Sequence, residues 1–147
     1  MNGPGKRLAG AFLATLALAA TGCDALILGD GMSDGICIIE AHDPHESHHN
    51  PGRINVLVSI ECDKGVHWVS LQARLEKKDG NDWVTVRSKS EKWWDVRANS
   101  EQRIQINIPC ESGNFRATAR ASAQREGIPY GPSDWKQGQE VLDPCNR

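Results

Sequence analysis

Residues 115–124 read Phe-Arg-Ala-Thr-Ala-Arg-Ala-Ser-Ala-Gln, and this run decides the fold. Phe115, Ala117, Ala119, Ala121 and Ala123 take every second position, with Arg116, Thr118, Arg120, Ser122 and Gln124 between them. Alanine favours helices. A spacing of two would nevertheless scatter these side chains around a helix, whereas in a strand it gathers all five on one face. The period overrides the propensity and predicts a half-buried strand.

The same alternation extends towards the N-terminus. Ile104, Ile106 and Ile108 alternate with Arg103, Gln105 and Asn107. Val69, Leu71, Ala73 and Leu75 alternate with Ser70, Gln72, Arg74 and Glu76. Ile54, Val56, Val58 and Ile60 alternate with Asn55, Ser59 and Glu61, interrupted only by Leu57. Turn signals separate the runs at Asp63-Lys64-Gly65, Asp79-Gly80-Asn81, Glu111-Ser112-Gly113 and 127–132. Asp79-Gly80 between two strand patterns is a hairpin signal. With edge strands near Cys37 and Val141, this makes about seven strands. The expected fold is all-β, a small two-sheet immunoglobulin/fibronectin-like sandwich. No segment has helical periodicity, and there is no internal repeat.

Ahead of this domain, Lys6 and Arg7 precede an uncharged run rich in Ala and Leu, from Leu8 to Ala20. Thirteen helical residues rise about 20 Å, short of a hydrocarbon core of ~30 Å, so a removable secretory signal over 1–22 fits better than a spanning helix. Ala20-Thr21-Gly22-Cys23 resembles a bacterial lipobox, in which the cysteine is lipidated and becomes the new N-terminus. The competing reading is cleavage after Ala17-Leu18-Ala19 and free secretion. Residues 23–35 read as a tether whose Leu26-Ile27-Leu28 could rest on the membrane, and 36–147 as the sandwich. The expected location is the outer face of the cell membrane. Signal removal takes away Lys6 and Arg7 and no acid, so a formal charge of −2 becomes −4. The remaining basic residues are scattered, which disfavours nucleic acid and electrostatic binding to anionic lipid.

Five cysteines, Cys23, Cys37, Cys62, Cys110 and Cys145, leave one thiol over in an oxidising compartment. Lipidation of Cys23 removes it and leaves two disulfides, for which three pairings exist. In an immunoglobulin-type sandwich the first strand runs antiparallel to the second and the last to its predecessor. That arrangement predicts Cys37–Cys62 and Cys110–Cys145.

Four of the five histidines crowd residues 42–49: His42, His45, His48 and His49, with Asp43 and Glu46 among them. Imidazole and carboxylate donors suit Zn, Cu or Ni, so metal binding or scavenging is the alternative function. Pro44 and Pro51 oppose a helix, so helical ligand spacing does not apply. Ser47 beside His45 and His48 has the residue types of a nucleophile and base. No nucleophile elbow, phosphate-cradling loop or dinucleotide fingerprint accompanies them, and an enzyme is not expected.

The stretch Pro44-His45-Glu46-Ser47-His48-His49-Asn50-Pro51-Gly52-Arg53-Ile54-Asn55-Val56, followed by Cys62, resembles a group of small secreted actinobacterial proteins with the pattern Pro-His-x-Ser-x-His, Gly, Asn-Val and Cys. Cys110-Glu111-Ser112-Gly113-Asn114-Phe115 is similar to their Cys-x-x-Gly-x-Tyr, with Phe replacing Tyr. The resemblance implies a secreted, disulfide-stapled β domain with no established activity. It makes Pro44, His45, Ser47, His49, Gly52 and Asn55 pattern positions and His42 and His48 extras. The loop then reads as partly structural, with Gly52 supplying a turn and Asn55 a side-chain hydrogen bond.

Tryptophan is over-represented: five against one Tyr and two Phe, more than the one or two a sandwich core would take. Trp68 falls on the polar face of its strand, and the adjacent Trp93 and Trp94 would face opposite sides. Exposed indoles stack on sugars or anchor protein interfaces, although they also serve simply to cover sheet edges. Trp68, Trp93 and Trp94 are therefore the candidate partner-binding residues. The expected function is a non-catalytic, lipid-anchored surface module binding a protein or a cell-envelope glycan, with a phage-excluding prophage lipoprotein as a narrower form.

Overall fold

The computed structural model describes residues 35–146; the expected signal, Cys23 and nearly all of the expected tether lie outside them. Ten strands follow in order: β1 (Cys37–Ala41), β2 (His45–Glu46), β3 (Arg53–Cys62), β4 (Val66–Asp79), β5 (Asp82–Val96), β6 (Glu101–Pro109), β7 (Asn114–Arg125), β8 (Ile128–Tyr130), β9 (Lys136–Gln137) and β10 (Val141–Leu142). All pairings are antiparallel and fall into two sheets. No helix occurs among the described residues.

The ten segments lie along seven lines, which reconciles them with the expected count. β6 runs beside β3 along nearly its whole length, so β1 and β2 share the other edge of β3 as one interrupted strand. In the larger sheet, β8, β9 and β10 pair in turn with the end, middle and start of β7. They form a second interrupted edge strand beside β7, β4 and β5. Between β8 and β9, Ser133 replaces a regular ladder partner. Its backbone N–H donates to the Ala121 carbonyl, while its hydroxyl accepts from the Ala121 N–H.

The inner faces carry the predicted residues. Ile54, Val56, Val58 and Ile60 meet Val69, Leu71, Ala73 and Leu75, together with Ile104, Ile106 and the Phe115–Ala123 stripe, in one buried cluster. Cys37, the first residue of β1, and Cys62, the last of β3, are register partners and form one disulfide. Cys110, directly after β6, joins Cys145, which follows β10. Both bridges match the pairing expected from the strand order.

β4 and β5 form the hairpin that Asp79-Gly80 signals, with Gly80 at φ +60°. It carries one irregularity: Leu75 pairs with Arg87 but Glu76 pairs with Thr85, leaving Val86 without a partner of its own. A one-residue slip reverses which face every later side chain takes. Consequently Trp83 lies on the same outer face as Ser88, Ser90, Lys92 and Trp94, although their positions differ in parity.

Candidate functional site

The outer face of the larger sheet collects the indoles. Trp68 and Trp94 are cross-strand partners on β4 and β5, and Lys92 is opposite Ser70, one step along the same face. Such neighbours lie about 5 Å apart, within reach of long side chains. Lys92 Nζ sits 4.1 Å from the Trp68 ring centroid and 4.3 Å from that of Trp94. His67 contacts Trp94 edge-on at 5.5 Å and is within 3.3 Å of Asp95 Oδ1. Trp68 is half-buried; Trp94 is 58% exposed.

Further along the face, Trp135 comes from the segment between β8 and β9. The guanidinium carbons of Arg74 and Arg120 lie 3.8 and 4.7 Å from its ring centroid. Arg120 Nε also donates to Gln72 Oε1 at 2.7 Å. Beyond it, Trp83 meets Arg116 at 4.2 Å and Lys78 at 5.6 Å. Each cation–aromatic contact contributes roughly 0.5–2 kcal/mol, more as water is excluded. The row therefore holds its long side chains in place on an open sheet face.

Trp93 takes the opposite face and packs against the core, so the adjacent pair divides as expected from strand geometry. Of the three candidate tryptophans, Trp68 and Trp94 come together and Trp93 does not join them. Lys92, Arg74, Arg120 and Trp135 are not among the candidate site residues that the sequence offers. A usable signal existed for two of them, because Arg74 and Arg120 occupy polar positions of strongly alternating runs. Trp135 lies outside any alternating run, and its place depends on how the last edge strand is interrupted.

The histidine loop is built differently. His45 Nδ1 lies 2.9 Å from the Asp43 carbonyl oxygen, and its Nε2 is 3.2 Å from Asn55 Nδ2. A carbonyl can only accept, so Nδ1 carries the proton and Nε2 accepts from Asn55. Asn55 Oδ1 in turn accepts from Gln105 Nε2 at 2.6 Å. Glu46 Oε1 accepts the Gly52 N–H at 2.8 Å, and the buried Ser47 hydroxyl accepts the Asn50 N–H at 3.2 Å. Gly52 has φ +80°, the turn conformation that suits glycine. His45, Ser47, Gly52 and Asn55 thus hold the loop's own shape.

His42 lies beside Glu40 at 3.7 Å, while His48 and His49 are exposed. Among the described residues, the only three potential ligands whose donor atoms lie within 4.8 Å of one another are Glu46, Cys110 and Cys145. Both sulfurs there belong to a disulfide and offer no thiolate. The loop donors His42, Asp43, His45, Glu46, His48 and His49 do not converge in this geometry.

Fold and site together define a disulfide-stapled two-sheet β-sandwich that displays an aromatic and cationic sheet face. Compared with known proteins, the chain matches no family model and no curated sequence.

Proposed function

We propose that this protein is an exported, lipid-anchored surface module of immunoglobulin/fibronectin type, non-catalytic, which binds an envelope glycan or a protein through the outer face of its larger sheet. The observation that carries this reading is the Trp68–Lys92–Trp94 cluster, in which a large indole stands mostly in solvent beside a second one. Indoles presented in this way supply large contact area with little conformational entropy to lose. Two disulfides in a domain of this size accord with an oxidising, extracytoplasmic compartment. The order of three strand lines against four, all antiparallel, supports the immunoglobulin/fibronectin assignment. Ser47 and His45 are engaged in loop hydrogen bonds, which supports a structural role for the loop.

The test is co-sedimentation of the processed protein with insoluble cell-envelope polysaccharide and with solubilised envelope proteins, compared with Trp94→Ala. Retention on either fraction that falls at least tenfold in the variant is the expected result. Equal retention of both proteins would remove the outer face from the binding reading.

A further inference from the structure

We infer that the outer sheet face takes an acidic, pyranose-based polysaccharide; this rests on the binding reading above and names its ligand class. The charges on that face are sorted. At one end Arg116 pairs with Glu76 at 2.8 Å and Lys78 with Glu140 at 3.4 Å, so both cations are neutralised. At the other end Lys92, Arg74 and Arg120 have no carboxylate within 4.0 Å among the described residues, and the nearby Asp95 is beside His67. A chain of net negative charge thus concentrates three uncompensated cations among three indoles.

Each of the three cations lies against a ring, where adjoining apolar surface lowers the local dielectric and strengthens its pull on an anion. The rings provide the second half of the recognition. Trp94, mostly in solvent, offers flat apolar surface to the C–H face of a sugar ring, with the half-buried Trp68 beside it; a polyol phosphate or an extended acidic peptide presents no such face. The extent of the strip argues for a chain. From Trp68 to Arg74 is six residues of β4, about 20 Å at ~3.3 Å per residue, several sugar rings long. Carboxylates borne on successive rings would meet Lys92 first and the Arg74–Arg120 pair next. Three cations without a basic run are too few for a nucleic-acid footprint.

The experiment uses the processed protein, with tryptophan fluorescence and calorimetry as readouts. The probes are oligomers of galacturonate, neutral glucan oligomers of the same length, and poly-glutamate. Galacturonate oligomers are expected to bind at least tenfold more tightly than either comparison. That binding should weaken at least tenfold between about 50 mM and about 500 mM salt, as exposed charges are screened. Lys92→Gln should weaken it several-fold and Lys92→Glu at least tenfold, with thermal melts confirming that both variants fold. Arg103→Gln, on the outer face of the other sheet, should leave it unchanged. Neutral glucan binding as tightly would overturn the acidic-ligand inference while leaving the glycan-binding reading in place. Poly-glutamate binding as tightly would overturn it in favour of a charge-only or peptide partner. Binding of none of the three would overturn this inference, and the binding reading would fall separately if envelope fractions are also not retained.

Discussion

Removing the two disulfides one at a time separates chain entropy from packing. Cys37 and Cys62 are 25 residues apart and Cys110 and Cys145 are 35 apart. On loop-closure entropy alone these bridges stabilise by about 3.5 and about 3.8 kcal/mol, so the second should matter slightly more. Packing reverses the order. Cys37 and Cys62 are each 1% exposed inside the core cluster, whereas Cys110 and Cys145 are half-buried at its margin. Deleting two core sulfur atoms adds a transfer and cavity cost of roughly 1–2 kcal/mol, on the scale of a buried methylene each. Cys37→Ala with Cys62→Ala should therefore cost about 5 kcal/mol and Cys110→Ala with Cys145→Ala about 4. Against a total of roughly 5–15 kcal/mol, both losses are large. The assay is urea unfolding, compared as free energies rather than midpoints because an uncrosslinked unfolded chain exposes more surface and steepens the transition. If the Cys110/Cys145 variant is destabilised as much as the other or more, the packing argument is refuted.

Gly131→Ala should destabilise by roughly 2–4 kcal/mol, since φ is +86° and a Cβ there would lie 2.7 Å from the Ala121 carbonyl oxygen. Gly127→Ala, at φ +78° with nothing within 4 Å, should cost only about 1–2 kcal/mol, and equal melting temperatures for the two would refute the distinction. Glu101 is held below the ordinary carboxylate range by its hydrogen bond from Arg103, so its folded form favours the ionised state. This contribution is present above the unfolded-state value and disappears as pH falls through the folded one; an NMR titration of Glu101 should move to higher pH in Arg103→Gln. Zn added to the protein should leave the side-chain amides of Asn55 and Gln105 in place, because His45 Nε2 is already hydrogen-bonded; one-to-one submicromolar binding with loss of those resonances would favour the metal reading. Cys23→Ser should release the protein into the medium or stall its processing, and a lipid-free wild-type N-terminus at Ala20 would refute anchoring.

The fold was legible because period-two runs decide both strand and face. Val69–Leu75 and Phe115–Ala123 point every apolar side chain inward, as their alternation requires. The edges were less legible. β2, β8, β9 and β10 are only two or three residues long, too short for any period, and tertiary pairing alone defines them. The site was half legible. Polar-face placement located Trp68, and adjacency separated Trp93 from Trp94, but the register of β4 against β5 decides that Lys92 lies over both Trp68 and Trp94. The unpartnered Val86 that brings Trp83 onto the same face leaves no mark in composition. In the histidine loop, composition suggests ligands, while the hydrogen bonds to Asp43, Asn55 and Gly52, which composition does not reveal, show what several of those groups hold.

The central claim is that partners meet the outer face of the larger sheet, and the indole N–H resonances of the five tryptophans test it most directly. They should be recorded on the processed protein during titration with galacturonate oligomers and with soluble envelope extract. Shifts concentrated on Trp68 and Trp94, extending to Trp135, with Trp93 unmoved on the core side, are the predicted result. Shifts at Trp93 with Trp68 and Trp94 unchanged, or no shift at any of the five, would contradict it.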